Sequence, residues 1–118
     1  MGKNLLIVDD DRTLVKILVS YFNSKGFNGQ AAFDGEEALM KLKDFQPNMI
    51  ILDVHMPKMN GYNFILEAKK IIDLKSIPII VLTAKEGMDD LFKLEGAREY
   101  FVKPVQPELL LELVQKYL

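Results

Sequence analysis

The chain has 118 residues, 49% of them apolar and 27% charged, with 15 basic against 17 acidic side chains and no cysteine. Such a composition suits a globular protein with one core, and it excludes a disulfide scaffold, a thiolate metal site and an intrinsically disordered chain. The formal charge of −2, with no block of like charge reaching the roughly five or six residues of a nucleic-acid arm, argues against direct nucleic-acid binding.

The first apolar run, Leu5-Leu6-Ile7-Val8, is too short for a signal-peptide core or a membrane span and reads as a buried strand. Gly2 invites a myristoylation reading, but Leu6 stands where that motif wants Ser or Thr. The expectation is one domain over residues 1–118, cytoplasmic and without a membrane segment. Leu14, Ile17, Leu18 and Tyr21 then recur at helical spacing, predicting a helix with one apolar face that Gly26 ends. Gly29 to Phe33, small and half polar, is a weaker second strand toward a sheet edge. Asp34-Gly35 leads into a second helix carrying Ala38, Leu42 and Phe45.

Met49-Ile50-Ile51-Leu52 is apolar without alternation, so both faces of this third strand should be covered. The turn pair Asn60-Gly61 starts a third helix carrying Ile65, Ala68 and Ile72, and Ile79-Ile80-Val81-Leu82 is the fourth strand. A fourth helix is expected around Met88 to Glu95, closed by Gly96, and Tyr100-Phe101-Val102 forms a fifth strand at the other edge. The last helix opens at Pro107, with Leu109, Leu110, Leu113, Val114 and Tyr117 on its apolar face and Leu111 and Leu118 left exposed. Because parallel crossovers are right-handed, these units predict an α/β fold: a doubly wound (βα)5 flavodoxin-like sandwich, its parallel five-stranded sheet in the order 2-1-3-4-5.

Ligands of doubly wound sheets collect beyond the carboxyl ends of the strands, where strand order reverses. Just past four of the strands stand Asp9-Asp10-Asp11, Asp53, Thr83 and Lys103. Converging carboxylates repel and call for a cation, and a small set of oxygen ligands favours Mg²⁺ over Ca²⁺. A metal, a hydroxyl and an ammonium group around one carboxylate are what phosphoryl transfer needs, which makes Asp53 the natural nucleophile. Any one of these residues alone reads as a helix cap, a turn residue or a solvated charge. Their convergence carries the functional reading.

Four segments, Ile7-Val8-Asp9-Asp10-Asp11, Leu52-Asp53-Val54-His55-Met56-Pro57-Lys58-Met59-Asn60-Gly61, Leu82-Thr83-Ala84 and Tyr100-Phe101-Val102-Lys103-Pro104, resemble the signatures of receiver domains of two-component response regulators, the chemotaxis-regulator-like kind included. The resemblance implies that Asp10, Asp53 and the main-chain carbonyl of His55 ligate Mg²⁺, with Asp9 acting through water and Asp11 starting the first helix. It implies that Thr83 and Lys103 hold phosphoryl oxygens, helped by the N–H groups of Val54 and Ala84. The donor it implies is a phosphohistidine on a histidine kinase or phosphotransfer protein. Thr83 and Tyr100 would switch the face formed by the fourth helix, fifth strand and last helix, where a downstream protein target binds. His55 and Lys85 would tune phosphoryl lifetime. Such a domain is a signalling switch that catalyses only its own phosphorylation and dephosphorylation. Val105 departs from the family's aromatic after Lys-Pro, and the last helix has no arginine.

Three rivals are weighed beside it. Asp9-Asp10-Asp11-Arg12-Thr13 also matches the D-x-D-x-T nucleophile motif of haloacid-dehalogenase-like phosphatases, with Asp9 attacking, but beyond Lys103 only Glu108 and Glu112 are acidic. A flavodoxin-like or nucleotide-binding module would need a Gly-rich loop after the first strand, which is missing. A receiver-like adaptor that works without phosphorylation would not need the intact acids, Thr83 and Lys103.

Overall fold

A computed structural model describes residues 2–54, 56, 58–83 and 97–118. Its elements in chain order are β1 (Asn4–Val8), α1 (Arg12–Ser24), β2 (Asn28–Ala32), α2 (Gly35–Lys41), β3 (Met49–Asp53), α3 (Gly61–Ala68), β4 (Ile79–Thr83), β5 (Ala97–Val102) and a last helix, α4 (Pro107–Tyr117). The helix expected around Met88 to Glu95 lies outside the described residues. All strand pairs are parallel and the order is β2-β1-β3-β4-β5, as expected.

The unbroken apolar runs of β1, β3 and β4 follow from burial on both faces. Side chains of a strand alternate sides, so each run divides between two layers. Leu6, Val8, Ile50, Leu52 and Val81 join Ala38, Leu42, Phe64, Ile65 and Ala68 in one core, under α2 and α3. Leu5, Ile7, Met49, Ile51, Ile80 and Leu82 pack with Val15, Leu18, Phe22, Leu110 and Val114 in the other, under α1 and α4. The weaker runs became the edges, β2 and β5.

Helix faces differ in detail from the expectation. In α1 the buried residues are Val15, Leu18 and Phe22, while Ile17 is 53% exposed and Leu14 and Tyr21 lie at the margin. A segment as apolar as Leu-Val-Lys-Ile-Leu-Val holds more than one set of residues at helical spacing, and the direction of the sheet selects among them. In α4, Leu109 is exposed, whereas Leu111 packs partly buried against the core; Leu118 is exposed as expected. The run Leu109-Leu110-Leu111 leaves the helix phase undecided by one residue.

Helices α1 and α2 begin a few residues beyond strand ends and α3 after a longer loop, each with a side-chain cap. Asp11 accepts from the Leu14 N–H at 3.1 Å, Asp34 from the Glu37 N–H at 2.8 Å and Asn60 from the Asn63 N–H at 2.8 Å. Such caps satisfy N–H groups that the first turn leaves without partners, and they fix where each chain segment leaves the sheet. Gly26, with φ of 93°, supplies the left-handed residue that turns the chain after α1. No described helix is long and apolar enough to cross a membrane.

Candidate functional site

Register brings the predicted residues together. In the ladder Leu52 lies opposite Val8, Asp53 opposite Leu82 and Thr83 opposite Val102, so Asp9, Asp53, Thr83 and Lys103 all leave the sheet at one edge. Backbone pairing continues one residue past the strands: Asp9 N–H donates to Ala32 O at 3.1 Å, Val54 N–H to Leu82 O at 3.1 Å and Lys103 N–H to Thr83 O at 2.7 Å. The functional side chains therefore stand on backbone held as firmly as the sheet. One expectation is corrected here: the Val54 N–H belongs to the sheet ladder and is not available to an incoming anion.

Carboxylate oxygens of Asp9, Asp10 and Asp53 lie within 4.8 Å of one another. Asp9 and Asp53 are buried, and Asp10 is exposed at the rim. Lys103 Nζ is 2.9 Å from Asp9 Oδ2 and 3.4 Å from Asp53 Oδ1, ion-paired with both buried acids. Asp9 Oδ1 accepts from the Asp11 N–H at 2.9 Å, and Oδ2, fully buried, has the Lys103 ammonium as its partner. Three carboxylates so close together, two of them buried and sharing one ammonium group, leave negative charge uncompensated, and an all-oxygen cluster of this kind fits a site for a hard divalent cation. Thr83 is buried at the same edge.

Electrostatics follow from that crowding. Burial, then the charge of Asp9, pushes the Asp53 carboxyl up to about 6, against the opposing pull of Lys103. For Lys103, burial works to lower the ammonium, yet pairing with Asp9 and then Asp53 outweighs it, so its proton is held more tightly than usual.

The pair Asn60-Gly61 starts the third helix as expected, and Gly61 has a second part to play. A Cβ at Gly61 would stand 2.6 Å from the Asp53 carbonyl oxygen and 3.2 Å from Val54 Cα, and the Gly61 N–H donates to Val54 O at 2.9 Å. Gly61 thus lets α3 start directly against the Asp53 backbone. No sequence pattern announces that approach. Tyr100 is partly buried on the α2 and α3 side, opposite Val81, on the face that Thr83 also shares by strand alternation. A contact that the sequence did not foretell ties β5 to α4: Tyr117 Oη donates to Glu99 Oε2 at 2.7 Å. His55, Pro57, Ala84 and Lys85 lie outside the described residues.

Comparison with known proteins agrees with this geometry. The family model of the response regulator receiver domain matches residues 5–115. Protein PilG of Pseudomonas aeruginosa is 31% identical over 118 residues, an alignment covering 98% of this chain and 87% of PilG. The chemotaxis protein CheY4 of Vibrio cholerae superimposes with a TM-score of 0.92 at 32% identity, with both chains fully covered. The response regulator TrrA of Thermotoga maritima, solved in complex with Mg²⁺-BeF, gives 0.85 at 32% identity over 98% of this chain and 99% of that one. The chain spans about half the length of most of the curated relatives that it matches.

Proposed function

Since this chain belongs to the response regulator receiver family, we propose that Asp53 is its phosphoryl acceptor. A carboxylate oxygen of Asp53 attacks the phosphorus of a phosphohistidine on a histidine kinase or phosphotransfer protein. The P–N bond breaks, the imidazole leaves and takes up a proton, and an aspartyl phosphate remains. The observation that supports this reading best is the approach of Asp9, Asp10 and Asp53 to within 4.8 Å, with Lys103 paired to both buried acids.

Each neighbour has a definable task. Asp10 and Asp53 would hold Mg²⁺, joined by the His55 carbonyl, with Asp9 acting through water; bound there, the cation neutralises charge on the transferring phosphoryl oxygens. Lys103 sits near enough to Asp53 to pair with one such oxygen once it is no longer held by Asp9. Thr83 would hydrogen-bond another and move toward it, and Tyr100, behind it on the same face, would follow. In this way the added negative charge becomes a change of surface along β5, α4 and the segment between β4 and β5. Hydrolysis by water resets the switch. Response regulators interact with histidine kinases and downstream targets; the target of this one is a protein docking on that face, in the cytoplasm.

Incubation with a small phosphoryl donor and Mg²⁺ should label the parent protein and leave Asp53→Asn unlabelled. Equal labelling of both overturns the assignment. Label on Asp9 instead would favour the phosphatase reading, and no label on either would favour an adaptor that works without phosphorylation.

A further inference from the structure

Away from the acidic site, α2 and the turn after it wall an open groove of about 620 Å³. Glu36 and Met40, four residues apart, share one face of α2, and Asp44 follows in the turn beyond it; all three line this wall. Met40 is 66% exposed, the most exposed large apolar side chain among the described residues, and Phe45, almost buried, adds apolar surface beside it. The groove carries four carboxylates, of Asp34, Glu36, Glu37 and Asp44, against the ammonium groups of Lys41 and Lys58. Two of those acids serve the fold: Asp34 caps α2, and Glu37 Oε1 accepts from the Phe33 N–H at 2.6 Å. Glu36, in the first turn of α2, and Asp44 make no such hydrogen bond. Both side chains are exposed and without a hydrogen bond or ion pair among the described residues, with the uncovered thioether of Met40 between them along the wall.

We propose that this groove docks a basic amphipathic segment of another protein, one apolar side chain lying over Met40 and Phe45 with Lys or Arg on either side reaching Glu36 and Asp44. Charge selects the occupant. An anionic membrane or nucleic acid would meet carboxylates, and a second copy of the chain docking by the same surface would set acid against acid. A methionine beside acids suits a partner whose apolar side chain is flanked by cations, because the flexible thioether adapts to different shapes while the charges fix register.

The probe is a fluorescein-labelled 14-residue peptide of leucine and lysine, with leucines at helical spacing, titrated by anisotropy against unphosphorylated, metal-free protein. Saturable binding is expected, with amide shifts in ¹H–¹⁵N spectra gathered on α2 and β2. The E36K/D44K double variant should weaken binding roughly tenfold or more, and Met40→Ser several-fold. The E108K/E112K variant, with the same charge change on α4, should bind as the parent does. The proposal is overturned if the α4 variant loses as much as the α2 variant, if an all-lysine peptide binds equally well, or if the shifts gather elsewhere. Self-association of the protein through α2, seen by sedimentation, would overturn it in favour of a second copy.

Discussion

Ile51 and Asp53 stand two residues apart on β3, both buried, and they make opposite demands on the fold. Ile51 is wholly enclosed by apolar neighbours of α1, α4 and the adjoining strands, so its burial stabilises. Asp53 is buried among other acids and is held up to about 6 by that environment. Its ionisation at neutral pH therefore costs the folded state free energy. The strand body holds the sheet together, and the residue beyond it keeps a charge where charge is disfavoured. A cation or a phosphoryl group can act strongly there because water does not compensate that charge.

The largest expected effect is on the strand body. Ile51→Ala removes a fully buried side chain between two layers and should lower unfolding free energy by about 3 kcal/mol in urea titrations. A loss below about 1 kcal/mol would mean that the central strands do not carry the stability assigned to them. Gly61→Ala tests the junction. Its methyl group would meet the Asp53 carbonyl and Val54 backbone, so a loss of roughly 2 kcal/mol should come with impaired phosphorylation at Asp53. Normal stability and labelling would mean that α3 can withdraw without disturbing the site.

Asp53→Asn should move stability the other way. Between pH about 4 and 6 the folded chain binds more protons at Asp53 than the unfolded chain does, so stability falls as pH rises through that window and the full cost stands at pH 7. The metal-free variant should therefore be more stable than the parent at pH 7, by about 2 kcal/mol, and lose that part of the pH dependence. A variant less stable at pH 7 than the parent would show that pairing with Lys103 outweighs burial. By the same linkage, Mg²⁺ binding followed by calorimetry should weaken as pH falls through about 6, because protons compete for the carboxylate. Asn60→Ala, the smallest change, removes the α3 cap and should cost about 1 kcal/mol by thermal unfolding, with little effect on Mg²⁺ affinity.

Much of this contrast was legible in the order of residues. Runs such as Met49-Ile50-Ile51-Leu52 are apolar on consecutive positions, as a strand covered on both faces requires, and a polar residue directly after each run marks the edge where ligands collect. Together with the right-handedness of parallel crossovers, those two local signals were enough to predict the sheet order and the convergence of Asp9, Asp53, Thr83 and Lys103. The helix faces were not legible to the same degree. Ile17 and Leu109 look as apolar as Val15 and Leu110, and only the position of the sheet decides which of them it covers.

The sequence by itself determined the succession of strands and helices and the kinds of group at the strand ends, because alternation, capping and charge act over a few neighbouring residues. Tertiary structure decided the rest: that Lys103 leans on Asp9 more closely than on Asp53, that the Val54 N–H belongs to the ladder, and that Gly61 presses on the Asp53 backbone. These are contacts a few ångströms long between distant parts of the chain or across a tight turn. Their form depends on how whole layers settle against each other, which no local pattern encodes.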